Sequence, residues 1–260
     1  MVSQDRGPDP LPGSAEAPVT AELRQIGVVR SGVRERKQMP SLGAPAVIEI
    51  FAEYAAGLLR FEKHSHIWVL AWLDQAERDV LQVTPRGVAD KSPAGLHGVF
   101  AVRSPVRPNP IGLTACRVLA RDQGEIHVDR LDFLEGTPII DIKPYFVTRD
   151  AILAANNAQI GKPASPEALK ESLRLQALHF HGEDCAALER TVEAIWSFRD
   201  SVLNGSEPAV WDITVPLHRG CVVDAAIGMT RATPGRGSLK FHSEDVLLIR
   251  HEGREHRFEL

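Results

Sequence analysis

A stiff, proline-rich run at residues 98–113 constrains the fold of this 260-residue chain more than any other feature. Its three prolines push Ser104, Arg107 and Asn109, which precede them, out of the helical region and into extended conformations. Proline also lacks the N–H that a helix interior or a central strand needs. The run is therefore predicted to be a rigid loop that holds Arg103 and Arg107 in fixed directions, as recognition of an anion or a planar ring requires. The alternative is a proline-rich surface turn.

Short β segments around this run predict an all-β N-terminal region. Each segment is rich in β-branched and aromatic residues and is bounded by Gly, Pro or Asp. Little helix is expected between them, apart from residues 51–61, so the pattern favours a small closed or partly closed barrel. A doubly wound dinucleotide fold is not expected, because no Gly-x-Gly-x-x-Gly motif follows a strand. The predicted strands cover residues 26–30, 46–50, 66–73, 98–102, 114–119 and 125–128.

A change of pattern near residue 150 predicts a second domain of α+β class. Apolar residues recur at helical spacing between residues 166 and 204. Ser165 is the expected N-cap and Pro166 the first helical residue, and an Asn-Gly pair at 204–205 is the expected stop. Strand patterns return at residues 210–215, 246–250 and 256–259. The predicted organisation is a disordered arm (1–22), a barrel domain (23–150), a linker (151–165) and an accessory α+β domain (166–260).

Composition and charge exclude several classes of function. The net charge of −4 gives no global basic surface for nonspecific nucleic-acid binding, so RNA contact would need a local patch. No apolar run approaches the ~20 residues of a membrane span. The first twenty residues lack the apolar centre of a signal peptide, so a cytoplasmic location is expected. Three cysteines do not make a disulfide framework. The basic candidates for a local patch are Arg24, Arg30, Arg34, Arg36, Lys37, Arg103 and Arg107.

Four segments, at residues 26–31, 64–70, 98–113 and 131–145, occur in an order that resembles the TrmO family of tRNA methyltransferases. The family is also called YaeB or TsaA-like, and the resemblance covers about residues 23–150. It implies a small β-barrel that binds S-adenosylmethionine and works as a homodimer with cofactor sites near the interface. It also implies methylation of the exocyclic amine of threonylcarbamoyl-adenosine in tRNA.

The same resemblance implies site residues. Arg103 matches a cofactor-contacting arginine, Asp74 and Gln75 fall at a polar pair near the cofactor, and residues 132–135 match a loop that closes over it. A carboxylate in that loop suits the sulfonium charge and the ribose hydroxyls, although a plain turn is the alternative. The implied cofactor-binding residues are Asp74, Gln75, Arg103, Asp132, Phe133, Leu134 and Glu135. The substrate-binding candidates are Arg107, Asn109, Lys143 and Tyr145, with positioning of the adjacent subunit as the alternative for the first two.

Two positions depart from the family pattern. Residues 39–42 read Met-Pro-Ser-Leu where the family has a Pro-Arg-Gln triplet, and Glu135 replaces an aspartate. The first departure leaves open a small-molecule or metal-chelating methyl acceptor, and a non-catalytic metal sensor is a third alternative. No general base is assigned, because the sulfonium is an activated donor and placement supplies most of the acceleration. His64 and His66, beside the predicted pocket, are interpreted as packing residues.

The later part of the chain, about residues 172–245, is similar to the subunit-E-like domain of formylmethanofuran dehydrogenase. His181 and Cys185 match that family's first motif, and Cys221 and Asp224 match its second. The second histidine of the first motif is a glutamate in this chain.

The residue types of these motifs predict a metal site. His181 and Cys185 are four apart, a spacing that would place them on one helix face. With Cys221 they offer one imidazole and two thiolates, which suit zinc or another borderline or soft divalent metal. We expect the three to converge, with Asp224 or Glu183 in or near the coordination sphere. The alternative is two small, inert cysteines.

Overall fold

A closed β-barrel forms the first unit of the computed structural model, which describes residues 21–155 and 157–260. Its strands are β1 (Gly27–Arg30), β2 (Ala44–Ile50), β3 (His66–Trp72), β6 (Ile111–Asp122), β7 (Glu125–Leu131) and β8 (Pro138–Pro144). They close in the order β1-β2-β7-β6-β3-β8, and all neighbours are antiparallel. Successive side chains alternate across each strand, so Ile67, Val69 and Ala71 of β3 point into the core. The predicted barrel is confirmed.

Two details of the predicted barrel are wrong. Residues 98–102 were expected to form a strand, but only Gly98 pairs, in a two-stranded ribbon of β4 (Gln82–Val83) and β5 (His97–Gly98). The chain then turns at once, within the proline-rich run itself. Strand β8 was not predicted, although it closes the barrel against β1 and β3. Its prolines stand at its two ends, where they obscure the strand pattern.

The barrel has two ends of different character, because its strands run alternately up and down. At one end three connections meet, and we call this the loop end. It consists of residues 31–43, 73–110 and 132–137. The opposite end carries residues 51–65, the tight β6–β7 turn and the exit from β8.

The second unit combines three helices with a four-stranded sheet. Its helices are α2 (Pro166–His181), α3 (Ala186–Ser201) and α4 (Gly220–Thr230), after a short α1 (Val147–Asp150) that follows the barrel. Its strands are β9 (Ile213–Pro216), β10 (Leu239–His242), β11 (Val246–His251) and β12 (Arg254–Glu259), in the order β10-β9-β11-β12. Leu173, Ile195, Phe198 and Val222 lie in a core separate from that of the barrel.

The predicted helical span 166–204 contains two helices, α2 and α3. Ser165 caps α2 as predicted, its Oγ accepting the Ala168 N–H at 3.2 Å. Gly182, at φ 91°, ends α2 in the left-handed region that favours glycine. Helix α4 was not predicted, because apolar residues cover most of it and leave no periodic polar face.

The linker touches both units. The Lys162 N–H donates to the Gly87 carbonyl of the barrel domain at 3.0 Å. The Lys162 ammonium donates to the Asn204 carbonyl, beyond α3, at 2.9 Å. The two separate cores support a division at residues 151–165, which stays a prediction. Residues 1–20 of the expected arm lie outside the described residues. Within the described ranges, no helix has the length and apolarity needed to cross a membrane.

Candidate functional site

The loop end of the barrel gathers most of the residues that the sequence singled out. Two of the three loops, 73–110 and 132–137, contribute Asp74, Gln75, Arg103, Arg107, Asn109, Asp132, Phe133, Leu134 and Glu135. They are far apart along the chain, and only the antiparallel closure of the barrel brings their loops to one end. The shared location makes this end the candidate functional site.

Phe133 packs the loops together at this end. Its ring is 3% exposed and lies against β6, where a Cβ on Gly112 would be 2.5 Å from the ring. The same Cβ would be 3.1 Å from Leu73, and the Leu73 N–H donates to the Pro110 carbonyl at 2.8 Å. Glycine at position 112 is thus required for this close approach. The Phe133 side chain belongs to the barrel core, so only its main chain is available to a ligand.

The polar residues beside Phe133 face solvent. Asp132 is exposed, and one of its carboxylate oxygens accepts the Thr114 hydroxyl, which orients the side chain. Asp74 and Gln75 are exposed on the turn that follows β3. These three side chains are accessible to a bound molecule.

Glu135 has a different role, because its carboxylate is bonded within the protein. It accepts the Ser31 N–H at 2.8 Å and the Gly32 N–H at 2.9 Å, and the Arg30 guanidinium lies 3.5 Å away. The Gly32 N–H is the largest cause that lowers the Glu135 pKa, followed by the Ser31 N–H and Arg30. Glu135 therefore anchors the 31–43 loop. No sequence pattern indicates these partners, because they lie about a hundred residues away along the chain.

The two arginines of the proline-rich run also differ. Arg107 donates to the carbonyls of Ser104, Val99 and Val102 at 2.8, 2.9 and 2.6 Å, so its guanidinium braces the loop from inside. Arg103 is exposed, and its side chain makes no hydrogen bond within the described residues. The rigid loop expected from the prolines thus presents Arg103 and uses Arg107 as its brace.

Lys143 and Tyr145 are not brought to the loop end. They lie where β8 leaves the barrel, and the length of that strand separates the two ends by ~20 Å. Lys143 pairs with Asp141 at 2.6 Å, and the Tyr145 ring is 5.5 Å from that of Trp68. One chain therefore does not assemble the predicted substrate set.

The histidines expected beside the pocket also lie at the opposite end. The His64 ring contacts Phe146 edge-on at 5.6 Å, and burial lowers the pKa of the half-buried His66. These contacts agree with the interpretation as packing residues. A depression of about 720 Å³ lies at this end among Ile50, Glu53 and Gln123, and it contains none of the candidate residues.

A second candidate site lies in the helical unit. The ligand atoms of His181, Cys185 and Cys221 all lie within 4.8 Å of one another, which confirms the predicted convergence. His181 Nε2 is 3.6 Å from Cys185 Sγ, and His181 Nδ1 is 3.1 Å from a carboxylate oxygen of Asp224. Glu183, the other acidic candidate, is exposed and makes no hydrogen bond in the described structure.

The route to this convergence differs from the prediction. His181 ends α2 and Cys185 caps α3 across a tight turn, so the two do not share a helix face. Cys185 Sγ accepts the Leu188 N–H at 3.4 Å, which is the largest cause that lowers the Cys185 pKa. The hydrogen bond to Asp224 raises the pKa of His181. Cys221 is the second residue of α4.

The third cysteine takes no part in either site. Cys116 is 2% exposed inside the barrel, and burial raises the pKa of its thiol to about 12. All three cysteines are free, as the absence of a disulfide framework in the sequence predicted.

Known proteins resemble this chain chiefly through the barrel. The tRNA-methyltransferase O N-terminal domain family matches residues 28–151. A probable S-adenosyl-L-methionine-binding protein of Methanothermobacter thermautotrophicus is 45% identical over 135 residues, 50% of this chain and 93% of the relative. A crystal structure of TrmO from Pseudomonas aeruginosa is 31% identical, covers 54% of this chain and 62% of its own, and has a TM-score of 0.43.

One relative extends the likeness into the helical unit. A probable S-adenosyl-L-methionine-binding protein of Archaeoglobus fulgidus is 43% identical over 228 residues, which are 84% of this chain. The chain spans 60% of the length of that relative.

Proposed function

The chain belongs to the tRNA-methyltransferase O N-terminal domain family, and from that membership we propose that it is an S-adenosylmethionine-dependent methyltransferase. The cofactor would bind at the loop end of the barrel. One observation carries this location: the closure of the barrel brings to one end nine candidate residues that come from two separate loops.

The groups at this end fit the cofactor chemically. Arg103 is an exposed cation on a braced loop, and a charge-assisted bond to the carboxylate of the methionine moiety suits it. Asp132 offers a free carboxylate oxygen to the ribose hydroxyls or the ammonium group, and Asp74 and Gln75 extend the polar rim. The bound cofactor supplies an activated methyl group. The protein's own task is to hold the acceptor in line with it and to exclude water.

We propose tRNA as the substrate, with the methyl group going to the exocyclic amine of threonylcarbamoyl-adenosine. The β1–β2 loop supports this, because it carries exposed Arg34, Arg36 and Lys37 to the loop end. These residues form a local basic patch on a chain whose overall charge is negative, and such a patch attracts the phosphate backbone. Arg103 lies at the same end of the barrel.

A small-molecule or metal-chelating acceptor is the second candidate. The His181–Cys185–Cys221 cluster favours it, because the helical unit would bind the metal of such a chelator and the barrel would methylate the chelator. Transfer of radiolabelled methyl groups to purified tRNA, with and without the threonylcarbamoyl modification, separates the two. Transfer only to modified tRNA supports the first candidate, and no transfer to either tRNA favours the second. A metal sensor without catalysis is supported only if no acceptor is methylated.

We further propose that the barrel forms a homodimer in the cytoplasm and that residues 166–260 are a subunit-E-like accessory domain. Apolar side chains that flank the two-stranded ribbon of β4 and β5 support a dimer surface, since Phe100 is 81% and Leu81 59% exposed. Phe100→Asp should convert a dimer to a monomer in light scattering. A species whose mass is unchanged by Phe100→Asp would contradict this surface.

Calorimetry with S-adenosylmethionine tests the cofactor assignment. We expect Arg103→Ala to weaken binding by about 10- to 100-fold, the loss of one or two charge-assisted hydrogen bonds. Arg117→Ala is the matched control, because Arg117 is an exposed arginine in the middle of β6, paired with His66 at the start of β3 and away from the loop end. Absence of binding by the wild type, or equal affinity of the two variants, would refute the assignment.

A further inference from the structure

We propose that His181, Cys185 and Cys221 bind one divalent transition-metal ion of the zinc type and leave one coordination position open to an anionic ligand from outside the chain. This site is separate from the loop end of the barrel. It adds a second binding function to the methyltransferase.

The spacing of the donor atoms fits a tetrahedral metal. With Zn–S near 2.3 Å and Zn–N near 2.0–2.1 Å, the sulfur and nitrogen ligands of such an ion lie about 3.6 Å apart. Cys185 Sγ and His181 Nε2 are separated by 3.6 Å, and Cys221 Sγ lies within 4.8 Å of both. Small side-chain movements suffice to close the set around an ion.

Asp224 completes the arrangement from outside the coordination sphere. Its carboxylate accepts the His181 Nδ1–H, so the proton is held on Nδ1 and the lone pair of Nε2 faces the sulfurs. Metal-binding histidines commonly have a carboxylate at the second ring nitrogen, which fixes the tautomer and the ring orientation. The His181 side chain is 8% exposed, so its orientation is also fixed by packing.

Two helix N-termini point to the charge of the missing ligand. Cys185 caps the sixteen-residue α3, and Cys221 stands in the first turn of the eleven-residue α4. Two thiolates neutralise a divalent ion, and the positive ends of both helices offset the negative charge of the Asp224 carboxylate. The site is therefore close to neutral before a fourth ligand binds, and its fourth position can take an anion such as a carboxylate or a thiolate.

Two other uses of this cluster, a nucleophilic cysteine and a closed structural metal site, explain fewer of its features. A nucleophilic Cys185 activated by His181 and Asp224 would leave Cys221 without a role, although its sulfur belongs to the cluster. A closed structural site needs a fourth protein ligand, but Asp224 is occupied by His181 and Glu183 is exposed. The unit also has a large apolar core of its own, so its folding does not depend on a metal.

Metal content and cobalt spectroscopy of the full chain test the ion. We expect one zinc per chain after purification without chelator, and thiolate-to-cobalt charge-transfer bands after exchange with Co²⁺. Cys185→Ser and Cys221→Ser should lower metal affinity by more than 100-fold, and Asp224→Asn by about 10- to 100-fold. Cys116→Ser is the matched control and should leave affinity unchanged. Circular dichroism identifies any variant that has failed to fold. If a cysteine variant fails to fold, the metal affinity of Asp224→Asn still tests the site.

Substoichiometric metal in the wild type, without charge-transfer bands on cobalt addition, would overturn the proposal. So would alkylation of Cys185 at equal rates with and without zinc, which would identify a free nucleophile. The open position is tested by adding thiocyanate or 2-mercaptoethanol to the cobalt-loaded chain. We expect the visible cobalt bands to shift, and an unchanged spectrum would show that the coordination sphere is closed.

Discussion

The loop end of the barrel and the cysteine–histidine cluster are built in opposite ways. At the loop end, exposed side chains on separate loops share a location, and most of them touch no partner. In the cluster, three donor atoms lie within 4.8 Å of one another, and a fourth residue orients one of them. The loop end is thus suited to a large ligand that organises the loops around itself. The cluster is already organised for something as small as an ion.

This difference shows how rigidity is distributed at each site. The cluster is held by helix ends and a compact core. The loop end relies on three internal contacts: Phe133 on Gly112, Arg107 on its own loop, and Glu135 on the 31–43 loop. These three residues are best described as positioning residues, which hold the loops that present Arg103 and Asp132.

The largest expected effect is a difference in thiol reactivity between the cysteine of the barrel and the two cysteines of the cluster. Burial raises the pKa of Cys116 to about 12 from an ordinary value of 9.0, so its thiolate fraction near pH 8 is about a thousandfold smaller. We expect iodoacetamide to label Cys185 and Cys221 in the metal-free native chain and to spare Cys116. Mass spectrometry of tryptic peptides measures this, with urea-unfolded protein as the control in which all three are labelled. Early labelling of Cys116 in the native chain would contradict the closed barrel core.

The next effect concerns packing at the loop end. Gly112→Ala places a Cβ 2.5 Å from the Phe133 ring, and overpacking of this kind costs about 1–3 kcal/mol. We expect a lower free energy of unfolding in urea and weaker S-adenosylmethionine binding, because Phe133 holds two loops together. Gly98→Ala is the matched control, since its Cβ would meet nothing within 4 Å. Equal stability of the two variants would show that Phe133 is not packed as described.

The sequence predicted the class of the fold well and its closure poorly. β-Branched and aromatic residues in β3 predicted a barrel strand, whereas prolines at both ends obscured β8 and the largely apolar α4 had no periodic polar face. Residue types and motif order located both candidate sites. The difference between Arg103 and Arg107 was not predictable, because both arginines lie in the same proline-rich run. Only the fold shows that Arg107 is the one that braces the loop.

A smaller effect distinguishes anchoring from cofactor binding at Glu135. Glu135→Gln should lower stability at pH 7 by about 1–2 kcal/mol, because a charged acceptor of two N–H groups is lost. The folded-state pKa of Glu135 is lowered, so its contribution is present above the unfolded pKa and is lost as pH falls through the folded value. The wild type and the variant should therefore converge in acid.

Urea unfolding at several pH values measures this difference, and Glu53→Gln, on an exposed segment, is the control. A stability difference that persists unchanged in acid would contradict the anchoring role. If Glu135→Gln instead abolished cofactor binding without any loss of stability, the carboxylate would contact the cofactor directly.

Hydrogen exchange of the full chain with and without S-adenosylmethionine tests the central claim most directly, that the cofactor binds at the loop end. Because the ligand would order exposed loops, we expect slower exchange in residues 73–110 and 132–137. Residues 51–65, at the opposite end of the barrel, and 181–185 and 220–224, around the cluster, should be unchanged. Protection confined to the opposite end or to the cluster, with none at the loop end, would contradict the location of the methyl-transfer site.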